Sequence, residues 1–305
     1  EEIEERVSSM RKIGLGVMGW AQLCYQMGIR YGNEPSLQMG RILMNYIDQK
    51  ATETSHELAK ERGNFDAWED SKYANPTEYS EWFAEHAYQL ADDWEDGYPM
   101  RNHNVTTVAP TGTTSMIGDT SGGIEPVYNV ANYKNVGDDI QGDEMLVQFD
   151  KVFLKTLKAN EGDMEHTTDE IKEIAKEQMA SNNFDGVSGL PVPDWMKETF
   201  VTTNDLTAEE HGLMQRVFQE GVDSGISKTV NLPSDATHAD VHDAYMLAVD
   251  EDELGAVIKG LTVYRDQSRG EQVLTTQKHS DKELEQYQDA LEEAGYEVEE
   301  PASDE

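Results

Sequence analysis

Cysteine is almost missing from this 305-residue sequence: Cys24 is the one example. A single thiol excludes an internal disulfide, a four-cysteine zinc site and a self-contained dithiol redox pair within the sequence, and it agrees with a reducing, cytoplasmic setting. Positive charge is scarce as well. Against 24 Lys plus Arg stand 61 Asp plus Glu, a formal net charge of -37 at pH 7. A surface of that sign repels phosphodiesters and anionic lipid, so neither nucleic acid nor a membrane is an expected partner. No apolar run reaches the roughly 18 residues of a membrane span. The acidic start EEIEERV lacks the basic-then-apolar order of a signal peptide. Glu1 stands where a complete chain would carry Met, so part of something longer is expected.

What is present is a core. Hydrophobic residues make up 37% of the chain, enough for one large domain or two smaller ones. The acids are interspersed with aromatic and aliphatic residues, as in EDSKYANPTEYSEWFAEH and ADDWED, so the expectation is an acid-coated globular protein rather than a disordered one. Such a coat resembles that of proteins from salt-accumulating halophilic archaea, where salt screens the self-repulsion.

Residues 1–63 read as helices, with LQMGRILMNYIDQKATETSHELAKERG spaced by threes and fours and Gly63 as the stop. Gly14, Gly16 and Gly19 match the spacing of a dinucleotide fingerprint, but no valine-rich strand precedes them; close packing of backbone against a neighbouring element is the simpler reading. Residues 64–103 read as a loop and then a helix, closed by the turn DGYPM. NVTTVAP reads as a short strand, and residues 140–182 look helical. PVPDW at 191–195 is a break, after which Thr207 and Glu210 form a capping box for the next helix. SKTVNLP, ATHADVHDAYMLAVDEDELG and KGLTVYRD then read as strand, helix and strand, a β-α-β unit of a parallel sheet. The tail from 277 to 305 is charged, has no core-forming run and is expected to be disordered.

The strongest local candidate for chemistry is TTVAPTGTTS at 106–115, a strand running into a turn of small hydroxyl residues before a helix start. Unpaired N–H groups, hydroxyls and the positive end of a helix dipole suit an anion such as phosphate there, although an ordinary capped turn has the same appearance and the GxxxxGK[ST] pattern is absent.

Four blocks in order, RKIGLGVMGWAQL at 11–23, NVTTVAPTGTTSMIGDTSGGIEPVY at 104–128, SKTVNLP at 227–233 and KGLTVYRD at 259–266, resemble the C-terminal region of the ribonucleotide reductase large subunit. The resemblance covers roughly residues 6–276. It implies an α/β fold, the second half of a ten-stranded α/β barrel with a C-terminal extension, in which residues 1–276 are barrel and 277–305 are tail. By position it makes Pro110, Thr111, Gly112, Thr113, Thr114 and Ser115 the substrate-phosphate ligands. Glu125 and Pro126 fall in the family's Gly-Ile-Glu-Pro block, with a structural role at the cleft wall. Half a barrel leaves open sheet edges, so the N-terminal part of the same enzyme is an expected partner.

The family's Asn-x-Cys-x-Glu finger loop, which bears the radical cysteine, has no match in this sequence, and neither do its redox cysteine pairs. Cys24, in AQLCYQMG, reads as a small buried residue. The resemblance therefore implies no catalytic residue and no metal ligand within these residues, an external dithiol as reductant for the full enzyme, and no activity for this chain alone. Tyr264 stands singly in the strand where diiron-dependent reductases carry two adjacent tyrosines, which favours the adenosylcobalamin-dependent class and a ribonucleotide substrate, diphosphate or triphosphate. A diiron-type large-subunit fragment and a non-catalytic nucleotide-binding subunit are the alternatives. His238 and His242, four apart, read as an exposed helix face rather than a metal pair.

Overall fold

Parallel pairing of strands distant in sequence organises the larger part of the molecule. A computed structural model describes residues 2–75, 97–134, 146–249, 258–266, 268 and 274–275. It divides the chain into two compact units, one from Glu1–Val130 with Pro193–Gly270 and one from Ala131–Val192 with Glu271–Glu305. The expected helix within 76–96 and the expected disordered tail at 277–305 lie outside the described residues.

In the first unit, Leu15 bridges Thr106 in parallel and Val108 bridges Ile226 in parallel. Strand β3 (Thr229–Leu232) follows directly and pairs in parallel with β4 (Thr262–Arg265), Thr229 opposite Thr262 and Leu232 opposite Arg265. Four chain segments thus lie side by side in sequence order. Parallel neighbours need long crossovers, and helices supply them: α2 (Trp20–Gln26) and α3 (Glu34–Arg62) after the first segment, α8 (Ala208–Gln219) before the third, and α9 (His238–Val249) between β3 and β4. The expected β-α-β unit at 227–266 is therefore present, as are the helices expected in 1–63, beginning with α1 (Glu2–Met10). NVTTVAP, expected as a strand, takes part through bridges and the Leu15 N–H to Val105 carbonyl bond of 2.9 Å, without a continuous ladder.

Local chemistry sets the ends. Asn33 caps α3 by accepting the Ser36 N–H at 3.0 Å, Pro35 sits in its first turn, and Lys60 and Arg62 complement the dipole before Gly63, whose φ of 78° ends the helix. Thr207 accepts the Glu210 N–H at 3.1 Å while Glu210 accepts the Thr207 N–H at 2.9 Å, the expected capping box of α8. The core gathers Trp20, Cys24, Tyr31, Met44, Val108, Met214, Phe218 and Ile226. Trp20 meets Phe218 edge-on at 5.0 Å. Helices α3 and α8 approach closely because Gly40 has no side chain: a β-carbon there would lie 2.6 Å from the Phe218 ring.

The second unit departs from the expected run of helix over 140–182. Strand β1 (Ala131–Lys134) pairs antiparallel with β2 (Leu146–Phe149) and with β5 (Leu274–Thr275), giving the order β2-β1-β5. Helices follow only afterwards, α5 (Lys151–Asn160) and α6 (Thr168–Ala180). Asp150 stops the strand and caps α5, accepting the Val152 and Phe153 N–H groups at 2.8 and 2.9 Å. The alternating pattern of a four-residue strand is too short to stand out beside the strongly periodic, charged helices that follow it. Ala131, Tyr133 and Met179 form the core here with Val147, Phe149 and Phe184. The PVPDW break leads into α7 (Asp194–Thr199).

Candidate functional site

The chain leaves the sheet at Val108 and turns through Ala109, Pro110 and Thr111 into the short helix α4 (Gly112–Ile117). Pro110, Gly112, Thr113 and Thr114 are exposed, Thr111 is half-buried and Ser115 is buried. The hydroxyls divide accordingly. Thr111 Oγ1 accepts the Gly123 N–H at 2.7 Å, and Ser115 Oγ donates to the Gly112 carbonyl at 2.9 Å. These two brace the turn from inside, whereas the Thr113 and Thr114 side chains face outward. The first intrahelical bond runs from the Ser115 N–H to the Thr111 carbonyl at 2.7 Å. The N–H groups of Gly112, Thr113 and Thr114 precede it and have no carbonyl a turn earlier, so they present donors and partial positive charge at the exposed helix start.

The glycine-rich segment at 14–19 is the floor of this turn. The Thr107 N–H donates to the Leu15 carbonyl at 3.0 Å and the Gly19 N–H to the Ser121 carbonyl at 2.8 Å. A β-carbon on Gly16 would lie 2.0 Å from the Thr107 carbonyl oxygen. Gly16 therefore serves the expected close packing of backbone on backbone, whereas Gly14 and Gly19 make room for the Thr107 and Thr120 side chains.

Two buried polar clusters support the same region, and neither was anticipated from sequence. In one, the Lys228 side chain is wholly buried, with Nζ 3.4 Å from Glu125 Oε2, 2.8 Å from His211 Nδ1 and 3.2 Å from the Thr229 carbonyl. Burial lowers the Lys228 pKa and Glu125 opposes that shift. Burial, with the Lys228 charge beside it, takes His211 down to about 3, so its imidazole is neutral. In the other, Asp223 Oδ2 accepts the Val105 N–H at 2.6 Å, the Asp223 N–H donates to Thr106 Oγ1 at 2.9 Å, and that hydroxyl donates to Asp48 Oδ1 at 3.2 Å. Burial and the nearby Asp223 charge push the Asp48 carboxyl up to about 7. The Lys259 ammonium closes the cluster on the Val222 and Asp223 carbonyls.

Glu125 and Pro126 do line the turn after the loop, half-buried and buried respectively. Cys24 is fully buried, and burial pushes its thiol up to about 12, which makes it an inert packing residue. His238 and His242 are exposed on α9, and no metal-holding group of three or more His, Cys, Asp or Glu occurs among the described residues. No helix among them is long and apolar enough to cross a membrane.

The family model described as "Ribonucleotide reductase, barrel domain" matches residues 1–264. The chain is 34% identical over 294 residues to the vitamin B12-dependent ribonucleoside-diphosphate reductase of Thermoplasma acidophilum, covering 93% of this chain and 33% of that protein. It is 36% identical over 276 residues to the protein of the same name from Mycobacterium tuberculosis strain H37Rv, covering 90% and 33%. The solved structure of the class Id ribonucleotide reductase α subunit of Actinobacillus ureae superposes with a TM-score of 0.60 at 20% identity, over 86% of this chain and 40% of that one, a likeness that shows the fold alone. The chain spans about a third of the length of the curated relatives it matches.

Proposed function

This chain belongs to the ribonucleotide reductase barrel-domain family, and we propose that it is the C-terminal part of an adenosylcobalamin-dependent ribonucleoside-diphosphate reductase, an enzyme that replaces the 2′-hydroxyl of a ribonucleotide with hydrogen. The observation that carries this reading is the identity to vitamin B12-dependent reductases along nine-tenths or more of the chain. The lone Tyr264 of β4 agrees with it, because a diiron-type relay would place two adjacent tyrosines there.

The loop at 110–115 takes the substrate phosphates. The exposed N–H groups of Gly112, Thr113 and Thr114 and the outward hydroxyls of Thr113 and Thr114 donate to phosphate oxygens, Pro110 sets the turn, and Thr111 and Ser115 hold it in shape. Preformed donors need no reorganisation when the anion arrives, which favours tight and oriented binding. The radical cysteine and the redox cysteines come from the rest of the enzyme, since Cys24 is buried and its thiol is held protonated. The N-terminal part of the same enzyme and an external dithiol reductant are accordingly partners.

Cobalamin supplies the initiating radical when bound. The cavity of about 630 Å³ between α8, β3 and α9 is lined by Leu232, Pro233, Ala236, Met246 and Leu247 together with Glu209, Asp235, Asp240 and Asp243, a mixed lining that does not single out a corrin. The cofactor reading therefore rests on the relatives, and the residues of this chain are assigned to substrate alone. The net charge of -37 further supports a salt-accumulating archaeal source, and the single cysteine supports a cytoplasmic location.

Binding of CDP and of pyrophosphate to the full-length enzyme tests the loop. Thr113→Val removes one charge-assisted donor and is expected to weaken both ligands by about 1.5–3 kcal/mol. Unchanged affinity for both would remove the loop from the substrate site.

A further inference from the structure

Lys228 buries its amino group wholly in the interior, immediately before β3, where an apolar residue would pack without desolvation cost. Its three N–H donors meet three acceptors: Glu125 Oε2, His211 Nδ1 and the Thr229 carbonyl. The arrangement requires the His211 tautomer with the proton on Nε2, which then faces the Thr203 carbonyl at 3.3 Å. Glu125 is held at its other oxygen too, where Oε1 accepts the Thr229 N–H at 2.7 Å. A buried ion pair is seldom more stabilising than hydrophobic residues of the same volume, so its benefit is sought in the geometry it enforces.

That geometry leads to the phosphate loop in a few bonds. The Glu125 N–H donates to the Gly122 carbonyl at 2.9 Å. The adjacent Gly123 N–H is the donor that holds Thr111 Oγ1 at 2.7 Å. Between them, the Ile124 carbonyl accepts the Tyr31 hydroxyl at 2.7 Å. The 122–125 turn is thus tied to the strand at 228–229 on one side and to the start of α4 on the other.

We propose that Lys228 is a positioning residue for substrate binding: through Glu125 it fixes the 122–125 turn, which holds Thr111 and thereby sets the aim of the Gly112, Thr113 and Thr114 N–H groups. The inference rests on the reading of 110–115 as the phosphate loop. A misaimed cradle binds phosphate poorly while the reacting end of the substrate is unchanged, so the effect falls on KM.

The test compares full-length enzyme carrying Lys228→Met, the double variant Lys228→Met with Glu125→Gln, and Thr113→Val. Lys228→Met leaves the Glu125 charge without its buried partner and is expected to lower thermal stability. The double variant removes both charges and recovers that stability, so it carries the test even if the single variant does not fold. In the double variant the KM for CDP and the Kd for pyrophosphate rise by roughly ten- to a hundredfold, with kcat little changed. Wild-type affinity in the double variant, with Thr113→Val still impaired, would overturn the positioning role and leave the phosphate loop standing. Wild-type affinity in both would overturn the loop reading and the inference with it.

Discussion

The Thr107 carbonyl oxygen occupies the space that a β-carbon on Gly16 would need: the two would stand 2.0 Å apart. This contact presses the 14–19 segment against the segment that feeds the 110–115 turn, and the Thr107 N–H to Leu15 carbonyl bond at 3.0 Å depends on it. Gly16→Ala must push two backbones apart, because the obstructing atom is main chain and has no rotamer to escape into. The expected loss in unfolding free energy of the full-length enzyme is about 2–3 kcal/mol. An unaltered denaturation midpoint would show that the segment tolerates the separation.

Asp48 predicts a pH dependence of definite sign. Its folded pKa of about 7 lies above the unfolded value of about 4, because burial and the Asp223 charge favour the protonated form. The folded state therefore binds this proton more tightly. The contribution of Asp48 is most favourable below about pH 4 and is lost as pH rises through about 7, at a cost of order a few kcal/mol. Asp48→Asn keeps an acceptor for the Thr106 hydroxyl but cannot ionise. Relative to wild type, the variant should gain stability between pH 5 and pH 8, and a pH-independent difference would contradict the shift.

The acid coat predicts salt-dependent stability. With a formal charge of -37, self-repulsion opposes compaction in dilute buffer. Raising KCl from about 0.1 M to about 2 M shortens the screening length from roughly 10 Å to below 3 Å. The melting temperature should rise by several degrees. A midpoint that is flat or falls across this range would count against both the self-repulsion argument and a salt-rich source.

How far the sequence foretold this structure depends on distance along the chain. The β3-α9-β4 unit was legible because each part is contiguous: a β-branched run, a helical run, and a second β-branched run. Thr207 and Glu210 announced a helix start from three residues apart. The β1-β2 pair was not legible, because four-residue strands carry too few alternations to outweigh the strong helical signal of 151–180. Lys228 was hidden for another reason. Lysine is ordinarily exposed, and its burial depends on Glu125, 103 residues away, and on His211, 17 residues away. Asp48 was likewise lost among 61 acids, since only the fold places it beside Thr106. The turn at 110–115 was visible as a motif, but the inward turn of Thr111 and Ser115 followed only from the packing of 118–123 behind it.

The most direct test of the central claim is reduction of CDP by the full-length enzyme at high salt with a dithiol reductant, measured with and without adenosylcobalamin. Turnover that requires the cofactor, and is lost when this chain is omitted from a reconstitution with the remainder of the enzyme, is the predicted result. Turnover independent of cobalamin, or undiminished without this chain, would contradict the account.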